Sequence, residues 1–419
     1  MLKYLKIENF FSYKENTEIN LESSNYWKLK NNVFSIWKIT LMKNMLIYWA
    51  NASWKTNILK AIVVIHNFTL NKMNHPVITT PFRLNNDSKD KPSFFEICFF
   101  IDTKEYLYSF ELLNWVVISE ILKEIKWKKS DNLFIRNKND IKFEGELSNF
   151  SWQIENKVKK TTSLLWILDQ FNWKLNWKSI LHFFKNLESL WSGVFTPDET
   201  IKLLKLNESE KNKNFVLEFL RCADIDICDI QIKKENRNIV QFDFTKKNII
   251  EWMEEWYRVE IWHKSKNWDI EYFNLLWWQE SSWTIKLFWI LWRIITTILN
   301  EWVLFIDEIE NSLHPHIIKK IFELINNNLW KKYQFIFTTH NVELMNLRNF
   351  KKEQIGITEK LSSTKNSRFY TLYDFEDLRS ENDIRKLYNL WTLWWVPNAT
   401  DFSILFKNIK LWELNLDDE

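Results

Sequence analysis

The sequence predicts an α/β fold with a mixed sheet, an antiparallel β subdomain and a helical insertion. Three observations lead there. A short apolar strand, Met45 to Tyr48, runs through a loop into an apolar-periodic helix, Lys55 to His66. Strands and helices alternate again from Ser282 to Thr339, the pattern of a largely parallel sheet. Between these stretches, strand-like runs crowd Phe94 to Arg136 and helical patterns dominate Ser151 to Ala223.

Leu2 to Ile7 and Thr17 to Leu21 alternate in polarity as strands do, and Met45 to Tyr48 follows as a buried strand. FFEICFFI, YLYSFEL and VVISEIL then read as neighbouring strands. ILHFFKNLESL and FVLEFLRCA have helical spacing, and strands resume from Ile230 to Phe273. A long helix from Ser282 to Asn300 leads into the apolar strand Val303 to Asp307. A helix from Leu313 to Asn326 and a strand from Gln334 to Thr339 complete the pattern. The expected organisation is an N-terminal half (1–150), a helical insertion (151–225) and a C-terminal half (226–419), with no internal repeat.

Composition excludes several classes. Lys and Arg number 57 against 54 Asp and Glu, so no global electrostatic footprint argues for nucleic acid or an anionic membrane, although a local basic face stays open. The longest apolar run, Leu287 to Leu299, is too short to span a bilayer and is broken by Arg293. The opening MLKYLKIENFFSYK has no apolar leader core. Cys98, Cys222 and Cys228 lack metal-ligand spacing and read as reduced core thiols, which together point to a cytoplasmic protein.

One number is abnormal: 26 Trp against 3 Gly. Together the two come to about 7% of the chain, the usual share of glycine alone. Position agrees with the count. Asn-Trp recurs at Asn114-Trp115, Asn172-Trp173, Asn176-Trp177 and Asn267-Trp268, where Asn-Gly is the pair that type I′ hairpin turns demand. HKSKNWDIEYF reads as such a hairpin only with glycine at 268. The expectation is that the source reads UGA as glycine, as some bacterial lineages do, and that most of these tryptophans stand for it. The literal alternative is a Trp side chain at positions that only glycine tolerates.

The stretch IYWANASWKTN, Ile47 to Asn57, decides what the fold is for. It has the spacing of a phosphate loop, G-x-x-x-x-G-K-[ST], with Trp49 and Trp54 in the two glycine positions. Backbone N–H groups of Asn51, Ala52, Ser53 and their neighbours through Asn57 would wrap phosphates, Lys55 would reach the β- and γ-phosphates, and Thr56 would ligate Mg²⁺. VLFIDEIE adds paired acids at a strand end: Asp307 for Mg²⁺ through water, and Glu308 for the attacking water. TTHN places His340 at the end of the next strand, where it can sense a γ-phosphate. Finally ESSWT, with Ser281, Ser282, Trp283 and Thr284, opens the long helix and offers backbone donors and a hydroxyl to phosphate.

With these four pieces in this order, the chain resembles the P-loop NTPases known as ABC-type ATPase heads, in the SMC/RecF/OLD branch, and most closely the AbiLii/RloA-like abortive-infection ATP-binding proteins. IENFFSYKE, PFRLNNDSKDKPSFFEI, VLFIDEIENSLHPH, FIFTTHN and EQIGITEK…YNLWTLWWVPN carry the resemblance beside the loop and ESSWT. It implies ATP and Mg²⁺ as cofactors, and a homodimer in which ATP lies between the loop of one subunit and the Ser281 to Thr284 signature of the other. NSLHP, Asn311 to Pro315, would line that interface. It implies a phage-defence switch with a separate effector protein, since no acidic nuclease cluster follows Asn341, and no membrane. Two other readings stay open: a RecF-like repair ATPase that clamps DNA or RNA directly, and a non-enzymatic scaffold if the tryptophans are literal.

Overall fold

The computed structural model describes residues 1–24, 28–49, 56–72, 80–126, 129–145, 148, 154, 157–170, 177–190, 210–222, 227–243, 248–264, 270–274, 279–311, 313–327, 331–361, 363–375 and 384–386. Two sheets dominate them. In chain order the N-terminal strands are β1 (Leu2–Glu8), β2 (Thr17–Asn20), β3 (Val33–Ile36), β4 (Ile39–Met42) and β5 (Asn44–Trp49). Helix α1 (Thr56–Thr69) and the single turn α2 (Asn86–Lys89) come next, then β6 (Ser93–Ile101), β7 (Lys104–Leu113), β8 (Val116–Lys126), β9 (Lys129–Asn137) and β10 (Asp140–Phe143). Seven of these strands form an antiparallel sheet in the order β10-β9-β8-β7-β6-β1-β2, the expected β subdomain.

The turn between β7 and β8 tests the Asn-Trp reading. Asn114 and Trp115 have φ of 47° and 73°, the two left-handed residues of a type I′ turn. Trp37, between β3 and β4, is also left-handed at 53° and is 67% exposed. The other Asn-Trp pairs fall wholly or partly outside the described residues.

The second sheet has six strands in the order β11-β15-β16-β5-β17-β18, with β11 (Leu187–Leu190), β15 (Val303–Ile306), β16 (Gln334–Thr338), β17 (Ile355–Lys360) and β18 (Ser367–Thr371). All neighbours are parallel except β17 and β18. Every residue of β15 and β16 is buried, as a sheet covered on both faces requires. Alternate residues serve two cores. Met45, Ile47, Val303, Phe305 and Ile336 face the first, where Ile58, Leu59, Ile62, Ile65 and Phe68 of α1 lie between the two sheets against Phe95, Phe99 and Phe110. Leu46, Tyr48, Leu304, Ile306, Phe335 and Phe337 face the second, beneath α6 (Ser282–Asn300) and α7 (Pro315–Asn327).

Helices α3 (Leu164–Asp169), α4 (Trp177–Lys185) and α5 (Glu210–Cys222) lie in the stretch expected to be a helical insertion. That expectation needs one correction. ILHFFKNLESL is a helix only as far as Lys185, and LESL is the strand β11, which pairs in parallel with β15 from Leu187↔Val303 to Leu190↔Ile306. Part of the middle segment therefore belongs to the core sheet. The strands expected from Ile230 onward are a ribbon: β12 (Asp229–Asp243) pairs with β13 (Asn248–Lys264) along its whole length, and β14 (Ile270–Asn274) joins only at the base. Ile230, Val259 and Ile261 root the ribbon in the second core.

Candidate functional site

The C-terminal ends of β15, β16 and β5 lie side by side, with Ile306 beside Phe337 and Thr338 beside Ile47. Open α/β sheets bind ligands at this edge. Strand β5 runs toward the phosphate loop and α1 starts at Thr56, so strand and helix stand where the sequence puts them. Asn51, Ala52, Ser53, Trp54 and Lys55 lie outside the described residues, as do the side chains of Trp49 and Thr56. Asn57 is 1% exposed and its side-chain amide donates to Ser12 Oγ at 3.1 Å. That contact docks the IENFFSYKE stretch against α1 and leaves the backbone role expected of Asn57 untouched.

The acidic turn is held by one hydroxyl. Thr338 donates to Asp307 Oδ1 at 2.6 Å, and its oxygen accepts the N–H of Glu308 at 2.9 Å. Asp307 is 6% exposed and Glu308 half-buried. Glu308 has φ of 47°, a left-handed conformation that a side chain adopts at a cost and that is concentrated at functional sites. The turn is closed by Asn311 N–H to Glu308 C=O at 2.9 Å and Ile309 N–H to Thr338 C=O at 3.3 Å. Strand β16 separates β15 from β5, which puts Asp307 two strand spacings, about 9.5 Å, from the loop strand. That span suits a carboxylate reaching Mg²⁺ through water.

His340 is exposed, and its backbone N–H donates to Glu310 Oε1, tying the switch segment to the acidic turn. Thr339 N–H bonds Ile47 C=O at 3.0 Å, and Tyr48 OH reaches Asn341 C=O at 3.2 Å. The segment after β16 is thereby fastened to the strand that carries the phosphate loop.

Ser281 is the N-cap of α6. Its Oγ accepts Thr284 N–H at 3.0 Å and lies 2.7 Å from Thr284 Oγ1, so the hydroxyl expected to face a phosphate is engaged with its own helix. Thr284 is buried and Trp283 packs at the margin of the second core. Ser282 is the first helical residue and its side chain lies outside the description. Just before the cap, Glu280 Oε1 pairs with His263 Nε2 at 2.7 Å, linking the signature to β13. One turn into the helix, Lys286 Nζ donates to Glu308 C=O at 3.3 Å. Sequence reasoning missed both, because they join residues 17 and 22 apart that share no motif.

His314 and His316 are exposed, and His314 Nδ1 accepts the N–H of His316 at 3.2 Å. No metal-holding group of three or more His, Cys, Asp or Glu exists among the described residues. For Mg²⁺ the donors expected from the sequence are Thr56, whose side chain lies outside the described residues, and Asp307, which is buried; both would offer hard oxygen atoms. The donor chemistry fits that ion.

With the geometry in place, a family described as "AAA domain, putative AbiEii toxin, Type IV TA system" matches residues 46–346, more than half of the chain. The chain belongs to this AbiEii-type AAA family. The match spans β5, the acidic turn and the switch segment, so the AbiEii-type AAA chain is a P-loop ATPase by fold, with a mixed α/β sheet and an antiparallel one. No curated protein matches it. Among solved structures, it is similar to the SMC head domain from Thermotoga maritima, at 13% identity and TM-score 0.40, over 88% of this chain and 98% of that one. It is also similar to an SmcHead bound to the C-winged helix domain of ScpA, at 14% and 0.42, over 88% and 97%. No helix among the described residues is long and apolar enough to cross a membrane.

Proposed function

We propose that this AbiEii-type AAA chain hydrolyses ATP to ADP and phosphate at the edge formed by β5, β15 and β16, and that ATP closes two copies into a dimer which hydrolysis reopens. The observation that carries the reading is Thr338, whose one hydroxyl fixes both Asp307 and the backbone of Glu308 beside the loop strand. Glu308 accepts a proton as the water oxygen attacks the γ-phosphorus and the bond to the bridging oxygen breaks. Lys55 and the loop amides hold the phosphates, while Thr56 and Asp307 would hold Mg²⁺, which would supply charge neutralisation for the transferred phosphoryl group. His340 senses the γ-phosphate, and Ser281 to Thr284 engage the nucleotide of the other subunit once the cap rearranges. The family description reads "putative AbiEii toxin, Type IV TA system". We extend this to defence against phage or foreign nucleic acid, with a separate effector that rests on the resemblance to abortive-infection ATP-binding proteins.

The reading requires glycine at positions 49, 54 and 283. Left-handed φ at Trp37 and Trp115 supports recoding, since a Cβ disfavours that region. A second support is independent: the indole N–H groups of Trp177, Trp262 and Trp292 are buried with no acceptor, an unusual loss for a residue whose N–H finds a partner when buried.

The test begins with protein from its native source and the mass of its tryptic peptide Asn44 to Lys55. Glycine masses at 49 and 54 leave the loop intact, and ATP hydrolysis that disappears in Glu308→Gln then establishes the activity. Tryptophan masses overturn the recoding and leave a scaffold that binds no nucleotide.

A further inference from the structure

Helix α6 is fastened at two points near its start. Before the cap, Glu280 pairs with His263 of β13. In its second turn, Lys286 is 9% exposed and spans from the helix to the carbonyl of Glu308. That carbonyl also accepts Asn311 N–H, the first residue of NSLHP, while Thr338 holds the Glu308 N–H from the opposite side. The peptide groups flanking this left-handed residue are thus gripped by three elements: β16, the NSLHP turn and the signature helix. Burial lowers the Lys286 pKa to about 8, with Glu310 and Asp307 opposing the shift. A purely structural bridge has no need of a buried cation here, because an apolar side chain of equal length fills the space without its desolvation cost.

We propose that Lys286 is a positioning residue that couples the signature to the catalytic acid within one protomer. The coupling rests on the ATPase reading above. In the closed dimer a protomer's signature touches the partner's nucleotide, whereas its Glu308 serves the nucleotide on its own phosphate loop. A shift of α6 on engaging the partner's phosphate reaches Glu308 through Lys286, so each site is completed only when the other is filled. Hydrolysis is then cooperative in ATP, and that cooperativity depends on Lys286.

The test compares the full-length parent with Lys286→Met and Lys286→Arg. For Lys286→Met, KM stays within about twofold, kcat falls about tenfold or more, and the Hill coefficient drops from near 2 to about 1. Lys286→Arg, which keeps a charged donor, recovers at least half of the lost kcat. Without nucleotide, amide hydrogen exchange across Val303 to Leu313 is about tenfold faster in Lys286→Met than in the parent. Parental kcat and Hill coefficient in Lys286→Met overturn the coupling. If the parent hydrolyses no ATP, the ATPase reading fails, and exchange alone then decides: unchanged protection of Val303 to Leu313 overturns the contact as a positioning device, and lost protection upholds it.

Discussion

Thr338 does at the scale of one residue what the whole site needs. Replacing it by Val leaves the shape of the strand but removes a donor to Asp307 and an acceptor for Glu308 N–H, both at an almost water-free strand end. Thr338→Val is expected to lower kcat about tenfold with little change in KM, and to cost about 1–3 kcal/mol in a urea titration. Unchanged kcat would separate the two acids from catalysis. Trp115 makes an opposite prediction. In the protein as written, Trp115→Gly removes a side chain from a left-handed position and raises stability by about 1 kcal/mol. The measurement is the urea midpoint at constant slope, and an unmoved midpoint counts against glycine there. Asp307, Glu308 and the Asn114-Trp115 turn were legible because each is a local pattern. Lys286, His263 and the inward turn of Asn57 were not, because contact across the fold decides them.

At the scale of elements, helices and strands with strong periodicity were legible to within a few residues, including α6 from Ser282 to Asn300. Strand β11 was not. Four residues, LESL, continue the apolar spacing of the helix before them, and so short a run does not reveal its period. What makes it a strand is the open edge of β15 beside it. Another element-scale device is the buried pair of Glu120 on β8 and Arg136 on β9, 0% and 1% exposed in their side chains. Glu120 accepts Tyr108 OH, Ser163 OH and Leu164 N–H, while Arg136 donates to the carbonyls of Lys159 and Thr162. Together they staple the segment before α3 onto the antiparallel sheet. Arg136→Ala leaves an uncompensated buried carboxylate and is expected to cost about 3–5 kcal/mol. A loss under about 1 kcal/mol by chemical denaturation would mean the segment is held by its apolar contacts alone.

At the scale of the whole molecule, the proposed switch predicts its own trapped state. Glu308→Gln keeps the side-chain shape but cannot take the proton, so with ATP and Mg²⁺ it is expected to run at twice its monomer mass in light scattering, whereas the parent returns to a monomer as ATP is consumed. A Glu308→Gln protein that binds ATP yet stays monomeric removes dimerisation from the reading. The general architecture was legible from the order of its motifs, while the ribbon of β12 and β13 was legible only as strands, since their pairing is a matter of register.

The order of the core sheet bears on how the chain is made. Strand β5 sits at its centre, yet its two neighbours, β16 and β17, are encoded about 285 and 306 residues after it ends. At roughly 5–20 residues per second, the ribosome leaves both edges of this apolar strand open for about 15–60 s. The antiparallel sheet, whose strands arrive almost consecutively, is complete well before then and supplies one face on which α1 can settle. Those open edges are an aggregation hazard during synthesis, so production without holding chaperones is expected to lower the yield of the core sheet before that of the antiparallel sheet.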